Sequence, residues 1–251
     1  MTDFEAEFKR LRLSIKLLSD AALLFKKIDL RGAANFITEG PNIILGNHIG
    51  SYKDVGLLLR VVPRRIFFTA NSLIFSREDF SHLVLRHMKR HLKQFGVFIH
   101  LILNPYYVYI VNFISRNIAS IGTIPVNIYG SKRAAVLKCQ DYLKQGRAVI
   151  ALQGRGRVDH RDPNPYVKEF RGGVSIMAYN LEREGLSVPV TPLSIFGTHY
   201  PWAVPARIKV NVGRPLFIRD FMRRDEQETM DVFRAALQAR VAELLVESLG
   251  W

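Results

Sequence analysis

A histidine and an aspartate stand close together in the stretch GNHIGSYKD, residues 46–54, with five residues between them. An imidazole that donates one ring N–H to a carboxylate is held in a single tautomer, and its second ring nitrogen can then accept a proton from a hydroxyl group. His48 and Asp54 therefore form a candidate general base with its orienting carboxylate. Such pairs also arise by chance, so the elements around this one have to support the assignment.

The flanking segments predict where the pair lies in the fold. The apolar run Asn42–Leu45 precedes it and is typical of a buried strand, whereas Val55–Leu59 follows it and is typical of a helix. The pair is therefore predicted at a strand-to-helix corner, where the edge of a sheet commonly holds functional groups.

A second candidate is the sequence AVIALQGRGR, residues 148–157, in which a strand-like run opens into a loop with two glycines and two arginines. Glycines let backbone amides approach an anion closely, and a guanidinium binds phosphate oxygens through two parallel hydrogen bonds. A phosphate-bearing substrate fits this loop, and an ordinary exposed turn with solvated arginines is the alternative. Nucleotide hydrolysis is disfavoured because neither the Walker nor the dinucleotide pattern is present. The candidate binding residues are Gln153, Gly154, Arg155, Gly156 and Arg157.

Short apolar runs alternate with helical stretches along the rest of the chain. This alternation predicts an α/β fold with a mixed central sheet that helices cover on both faces. We expect an N-terminal amphipathic helix over residues 1–30 and a single α/β domain over residues 31–251. Strands are predicted at Ile43–Leu45, Ile66–Thr69, Gly122–Val126, Ala148–Leu152, Val190–Ile195 and Ile208–Gly213. Helices are predicted at Val55–Val62, Ser76–Phe95, Lys132–Gln145, Gly172–Glu184 and Asp225–Leu249.

The charge balance indicates an anionic partner. The chain of 251 residues carries 36 lysines and arginines against 22 aspartates and glutamates, a formal net charge of +14. Nucleic acid and acidic lipid are the two candidates. Cys139 is the single cysteine, which excludes an internal disulfide, and its helical surroundings predict a core residue rather than a nucleophile. No HExxH motif, cysteine pair or acidic cluster predicts a metal site.

Two segments favour acidic lipid over nucleic acid. Apolar residues near the N terminus repeat at helical spacing between cations, which is typical of a helix in a bilayer interface or of one that packs on its own core. The run 97–114 is apolar but holds Pro105, three tyrosines and a basic flank, which predicts peripheral or monotopic contact, with a buried helix pair as the alternative. We expect no signal peptide and a location on the cytoplasmic face of a membrane. The N-terminal stripe is Phe4, Phe8, Leu11, Ile15, Leu18, Ala22 and Phe25, and the flank holds Arg86, Lys89, Arg90 and Lys93.

The order of these motifs resembles that of the glycerophospholipid acyltransferases, and in particular the lysophosphatidate acyltransferase family, over about residues 40–245. The resemblance lies in the whole series rather than in any one motif. The segments that carry it are Asn47–Asp54, Ile121–Val126, Gln153–Arg157, Phe170–Gly173, Val188–Leu193 and Val210–Pro215.

The resemblance implies transfer of a fatty acyl group from an acyl thioester, either acyl-CoA or acyl-ACP, to a hydroxyl of a lysophospholipid such as 1-acylglycerol-3-phosphate. His48 would act as the general base and Asp54 would orient it, while Arg155 and Arg157, with Lys132, would hold the acceptor phosphate. No metal and no other cofactor are implied. The implied partners are the thioester donor, the lysophospholipid and an anionic membrane surface, but not nucleic acid. Acyl carrier protein is a further partner if acyl-ACP is the donor.

The chain departs from the family pattern at three places. The family usually places four residues between His and Asp, whereas five intervene here. The third motif usually reads Pro-Glu-Gly-Thr-Arg. Here Gln153 stands in place of the glutamate, and the arginine lies at a different position of the motif, as Arg155. Ile128 stands about where the arginine of the second motif would fall. These departures leave a lipid-binding relative without activity and an acyltransferase for a different hydroxylated lipid as alternatives. The net charge of +14 leaves a nucleic-acid-binding module as a third.

Overall fold

The computed structural model describes residues 4–91, 96–127 and 130–250, with the side chains of residues 87–103 left aside. Within this part of the chain, seven strands form one mixed sheet in the order β1-β7-β6-β2-β5-β3-β4. The predicted α/β fold class is therefore confirmed. The strands are β1 Lys26–Arg31, β2 Asn42–His48, β3 Ile66–Asn71, β4 Ile124–Val126, β5 Ala148–Gly154, β6 Val190–Phe196 and β7 Ala206–Val212.

Helices precede, connect and follow the strands. The longest of them, α7, buries Phe233, Leu237, Val241 and Leu244 against the sheet beside β6 and β7. Its N terminus is capped by Asp225, whose carboxylate accepts a hydrogen bond of 2.8 Å from the Glu228 amide. The helices of the described chain are α1 Phe4–Ala22, α2 Tyr52–Val61, α3 Arg77–His91, α4 Gly96–Asn117, α5 Arg133–Lys144, α6 Gly173–Arg183 and α7 Glu226–Leu249.

The centre of the sheet is parallel. Strand β2 lies between β5 and β6 and runs parallel to both, with Ile44 opposite Ile150 on one side and Thr191 on the other. Every residue of β2 before His48 is buried, as a parallel strand with both faces covered requires. Strands β6 and β7 are antiparallel, and β1 continues the sheet parallel to β7. The carboxyl ends of β2 and β5 therefore meet at one edge.

All six predicted strands are present, whereas β1 was not predicted. The helix α1 ends at Ala22 and the chain reverses at Phe25, which has a φ of 62° and is 58% exposed. Within the predicted stripe Leu11 is buried, but Leu13 and Leu17, which do not belong to it, are exposed. Cys139 is buried, as predicted for a core residue. Its burial raises the pKa of the thiol to about 12.

The chain divides into two compact units. One consists of Met1–Arg12 with Phe68–Ala135, and the other consists of Leu13–Phe67 with Val136–Trp251. The predicted boundary at residue 30 stays a prediction. Helix α4 covers the predicted run 97–114 and contains Pro105. None of the helices in the described residues is both long enough and apolar enough to cross a membrane. The side chains of Lys89, Arg90 and Lys93, and residue Ile128, lie outside the described part.

Candidate active site

The end of β2 is fixed in position by a buried asparagine. The Asn47 side chain donates a hydrogen bond of 2.9 Å to the carbonyl of Ile195, and the Ile195 amide donates one of 2.7 Å back to the Asn47 side-chain oxygen. Asn47 is fully buried, and a reciprocal pair of this kind satisfies its polar groups while it ties β2 to β6. The next residue, His48, therefore leaves the sheet at a defined place and in a defined direction.

His48 and Asp54 are in contact, as the sequence predicts. The Nδ1–H of His48 donates to Oδ2 of Asp54 over 2.8 Å, and the same oxygen accepts the amides of Ile49 at 3.0 Å and Gly50 at 2.8 Å. Asp54 is fully buried, whereas the His48 side chain is 24% exposed. With its Nδ1 protonated, the imidazole carries the lone pair on Nε2, which makes that nitrogen the basic one.

The backbone conformation of one residue and the small size of another let five residues separate the pair. Ser51 adopts a φ of 55°, which is rare for a residue with a side chain, and it precedes α2. A side chain at Gly50 would come within 2.3 Å of the Thr198 Cβ and 2.7 Å of the Asp54 Oδ1 atom. The turn thus folds over the carboxylate and places Asp54 in the first turn of α2. Strain at Ser51 is typical of a functional corner.

The glycines of the second predicted motif lie against His48. The register of β2 and β5 pairs His48 with Gly154, and the Gly156 amide donates a hydrogen bond of 3.1 Å to the His48 carbonyl. Gly156 has a φ of 69°, and an added Cβ there would lie 3.1 Å from the Nε2 atom of His48. The glycine therefore keeps the basic nitrogen accessible.

Substitution of Gly156 by alanine is expected to lower kcat/KM for the reaction proposed below by about tenfold or more, because the methyl group would press on the basic nitrogen. The left-handed backbone adds a cost of about 1 kcal/mol in folding free energy. Gly185→Ala is the matched control, since Gly185 has a φ of 83° and no atom lies within 4 Å of its added Cβ. Steady-state rates and urea unfolding would separate the two effects. Equal losses of activity in both variants would contradict the assignment.

A polar cleft of about 330 Å³ opens beside the carboxyl end of β5. The Arg171 amide donates a hydrogen bond of 3.1 Å to the side-chain oxygen of Gln153, which fixes the turn before α6 at the cleft. Lys168 donates to Asp162 over 2.8 Å and lies 3.9 Å from the carboxylate of Asp159. The cleft is lined by Gln153, Gly154, Arg155, Asp159, Asp162, Lys168, Glu169 and Arg171.

The structure places three of the predicted binding residues in the lining of this cleft. Gln153, Gly154 and Arg155 line the cleft, and Gly156 lies against His48. Arg157 is exposed and does not contribute to the lining of this cleft. Lys132 is exposed ahead of α5 and belongs to the other compact unit. The roles of all six in binding stay predictions.

Sequence reasoning missed five charged residues of the cleft and a histidine beyond it. Asp159 and Asp162 lie in the segment 158–168, whose composition predicted only a loop. Lys168, Glu169 and Arg171 belong to the segment that enters α6, and the only signal for them was the turn Phe170–Gly173, which was noted for its family resemblance alone. His199 follows the end of β6 and carried no signal in the sequence, because its position depends on the order of the strands.

His199 sits in a group of aromatic rings. Its ring centroid lies 5.5 Å from that of Tyr166, 5.2 Å from that of Phe196 and 4.3 Å from that of Tyr200. Burial lowers the pKa of His199, and the ammonium of Lys53 lowers it further. The imidazole is therefore neutral at pH 7, as its apolar surroundings require.

The free energy of unfolding should fall as the pH falls below about 6.5, the ordinary pKa of histidine in the unfolded chain. The folded state disfavours the protonated imidazole of His199, so its contribution is complete above that pH and is lost as the pH approaches the lowered pKa. His199→Phe keeps the ring packing and should reduce the drop in the urea midpoint between pH 7.5 and 5. The exposed His82, changed to glutamine, is the control. An undiminished drop in His199→Phe would contradict the burial effect.

In the described part of the chain, no cluster of three or more His, Cys, Asp or Glu side chains is placed to bind a metal ion. The polar groups that the structure places at the site are His48 with its carboxylate partner Asp54, the backbone amides of the corner, and the charged cleft. This set can remove a proton from a hydroxyl and can hold an ionic group beside it.

No family model and no curated protein match the chain significantly. Among solved structures, the chain is similar to the 1-acyl-sn-glycerophosphate (LPA) acyltransferase PlsC from Thermotoga maritima, with a TM-score of 0.55 and 20% sequence identity. The similarity covers 97% of this chain and 83% of that one. A likeness at this level of identity speaks to the fold rather than to the substrate. The chain therefore has the fold of a lysophosphatidate acyltransferase, the architecture that the order of its motifs predicts.

Proposed function

We propose that this protein is a membrane-associated acyltransferase that moves a fatty acyl group from an acyl thioester to a hydroxyl of a lysophospholipid such as 1-acylglycerol-3-phosphate. The observation that carries the proposal is the contact of His48 with Asp54 at the end of β2, in a chain with the fold of such an enzyme. Both acyl-CoA and acyl-ACP are suitable donors, because each presents the same thioester.

The proposed reaction begins with proton transfer from the acceptor hydroxyl to Nε2 of His48. The acceptor oxygen attacks the thioester carbonyl and forms a tetrahedral intermediate with a negative charge on the former carbonyl oxygen. Collapse of the intermediate breaks the carbon–sulfur bond and yields the ester, while the leaving thiolate takes the proton from the imidazolium. Asp54 holds the ring in place throughout and stabilises its positive charge.

The negative charge on the intermediate needs preorganised donors. The amides of Ile49 and Gly50 are bound to Asp54, and that of Gly156 is bound to the His48 carbonyl, so these three are occupied. The amides of Ser51 and Tyr52 stand at the N terminus of α2, and the structure records no acceptor for them in the described part of the chain. We propose that these two amides at the N terminus of α2 stabilise the negative charge of the intermediate.

The charged cleft supports binding of the acceptor headgroup. Arg155 lines it and directly follows Gly154, the residue of β5 that pairs with His48, so a headgroup bound there leaves the acceptor hydroxyl close to the base. Arg157 remains part of the proposal as a residue that the bound lipid would contact, and a part for Lys132 is implied by the family resemblance alone. The side-chain oxygen of Gln153 accepts a hydrogen bond from the Arg171 backbone amide rather than contacting an ionic group. A structural role suits this side chain.

Exposed apolar and aromatic side chains support contact with a membrane. Leu13 and Leu17 of α1 are 68% and 59% exposed and alternate with the exposed cations Arg12 and Lys16. In the other unit, α4 exposes Tyr106, Val108, Tyr109 and Ile110. Tyrosines and cations next to leucines suit the headgroup level of an anionic bilayer, and we place the protein on its cytoplasmic face as a peripheral or monotopic protein.

The test is release of free thiol from a long-chain acyl-CoA by the purified protein in detergent, with and without a panel of lysophospholipids that includes lysophosphatidate. Release that requires an acceptor, with the diacyl product identified by mass spectrometry, is the expected result. A repeat with acyl-ACP covers the second donor. Failure to release thiol from either donor with any acceptor would contradict the proposal and would favour a lipid-binding relative without activity.

A further inference from the structure

The cleft beside His48 has a different charge balance from the rest of the chain. Its lining holds three cations and three carboxylates, so its formal net charge is zero, whereas the whole chain carries +14. A site for a phosphate monoester, which carries close to two negative charges, needs an excess of cations. The balance of the lining therefore points to a ligand that carries charges of both signs.

One of the three cations is not available to a ligand. Lys168 donates to Asp162 over 2.8 Å and lies 3.9 Å from Asp159, and only 18% of its side chain is exposed. The hydrogen bond from Lys168 holds the pKa of Asp162 below its ordinary value. Lys168 and the two aspartates thus form an ionic group that shapes the loop. The charge of Arg155 also lowers the pKa of Asp162, although Arg155 itself is exposed.

Two guanidinium groups and one carboxylate then remain for a ligand. No ion pair is recorded for Arg155, Arg171 or Glu169 in the described residues, and all three are exposed at the cleft. The guanidinium groups keep their charge at any physiological pH and bind phosphate oxygens in pairs. The carboxylate is suited to an ammonium group.

The segment that carries Glu169 and Arg171 is held in place by its backbone. The Phe170 amide donates a hydrogen bond of 2.8 Å to the side-chain oxygen of Gln238, and the Arg171 amide donates to Gln153. The Phe170 side chain between them is 3% exposed. The side chains of Glu169 and Arg171 therefore extend from a fixed backbone on either side of the buried Phe170. A fixed backbone is what a preformed binding site requires.

We propose that this cleft binds a zwitterionic lysophospholipid headgroup, with the phosphodiester on Arg155 and Arg171 and the ammonium group on Glu169. The proposal rests on the function proposed above and names the class of its acceptor. A phosphate monoester would meet the same two arginines but would leave Glu169 without a partner of opposite sign. A phosphodiester with an ammonium group gives each free charge in the lining a partner of opposite sign.

The test compares three acceptors that differ only in the headgroup. Lysophosphatidylethanolamine carries the phosphodiester and the ammonium group, lysophosphatidylglycerol carries the phosphodiester alone, and lysophosphatidate carries the monoester. The wild-type protein should give the highest kcat/KM with lysophosphatidylethanolamine. Glu169→Gln should lower this value by about five- to tenfold and leave lysophosphatidylglycerol unaffected, whereas Arg171→Gln should lower both. Glu243→Gln, an exposed change on α7, is the control.

A higher kcat/KM with lysophosphatidate or lysophosphatidylglycerol in the wild-type protein would overturn the inference, as would an equal effect of Glu169→Gln on all three acceptors. Equilibrium binding of short-chain forms of the same lipids, measured by calorimetry without a donor, gives a readout that does not need turnover. Preference for the ethanolamine lipid that depends on Glu169, with no thiol release, would support this binding site and contradict the proposed acyl transfer.

Discussion

Replacement of His48 by alanine is expected to lower kcat/KM for acyl transfer by about 10³-fold, within the range that loss of a general base produces. The imidazole is the group whose Nε2 faces the glycine loop, and the structure gives it a carboxylate partner at 2.8 Å. Binding of lipid should persist, because the charged cleft and the exposed apolar residues are unchanged. The measurement is thiol release and vesicle flotation on the same preparation.

The control for this change is His82→Ala, which removes an exposed imidazole from α3. Its rate should match that of the wild type. Loss of His48 leaves the Asp54 carboxylate with its two backbone amides, so the free energy of unfolding should decrease by no more than a broken hydrogen bond allows, about 1–3 kcal/mol. Turnover retained in His48→Ala, with the fold intact, would show that the base is another group.

The sequence predicts the centre of the fold well because the central strands are buried on both faces. Ile43–Leu45 and Val190–Ile195 are continuous apolar runs, and such runs stand out against charged surroundings. Strand β1 escaped prediction because its residues KKIDLR resemble the end of the basic helix before them. Its strand structure depends on pairing with β7, a segment far away in the chain. Local patterns do not reveal such a partner.

The candidate site also has one part that the sequence predicts and one part that it does not. His48 and Asp54 are close in sequence, so their contact was predictable, and only the conformation of Ser51, which absorbs the additional residue, needed the structure. The cleft depends on the meeting of β5 with the segment before α6, where Glu169 and Arg171 lie. No motif in the chain links these segments, since charged residues ahead of a helix are as typical of a solvated surface.

The change Asp54→Asn is expected to lower kcat by about 10²- to 10⁴-fold with little loss of folding free energy. The asparagine oxygen can still accept the amides of Ile49 and Gly50, which are 3.0 and 2.8 Å from the present carboxylate. The negative charge that fixes the His48 tautomer and stabilises the imidazolium is lost. Rates and urea unfolding curves of the purified variant measure the two consequences separately.

Two companion variants show whether the charge of Asp54 or its packing matters. Asp54→Ala leaves two buried amides without an acceptor, so it should cost about 1–3 kcal/mol for each of them as well as the activity. Asp220→Asn removes a carboxylate that is 62% exposed and should change neither quantity. If Asp54→Asn loses stability as Asp54→Ala does, the carboxylate mainly supports the fold. If it keeps its stability and loses its rate, the negative charge beside His48 serves the proton transfer.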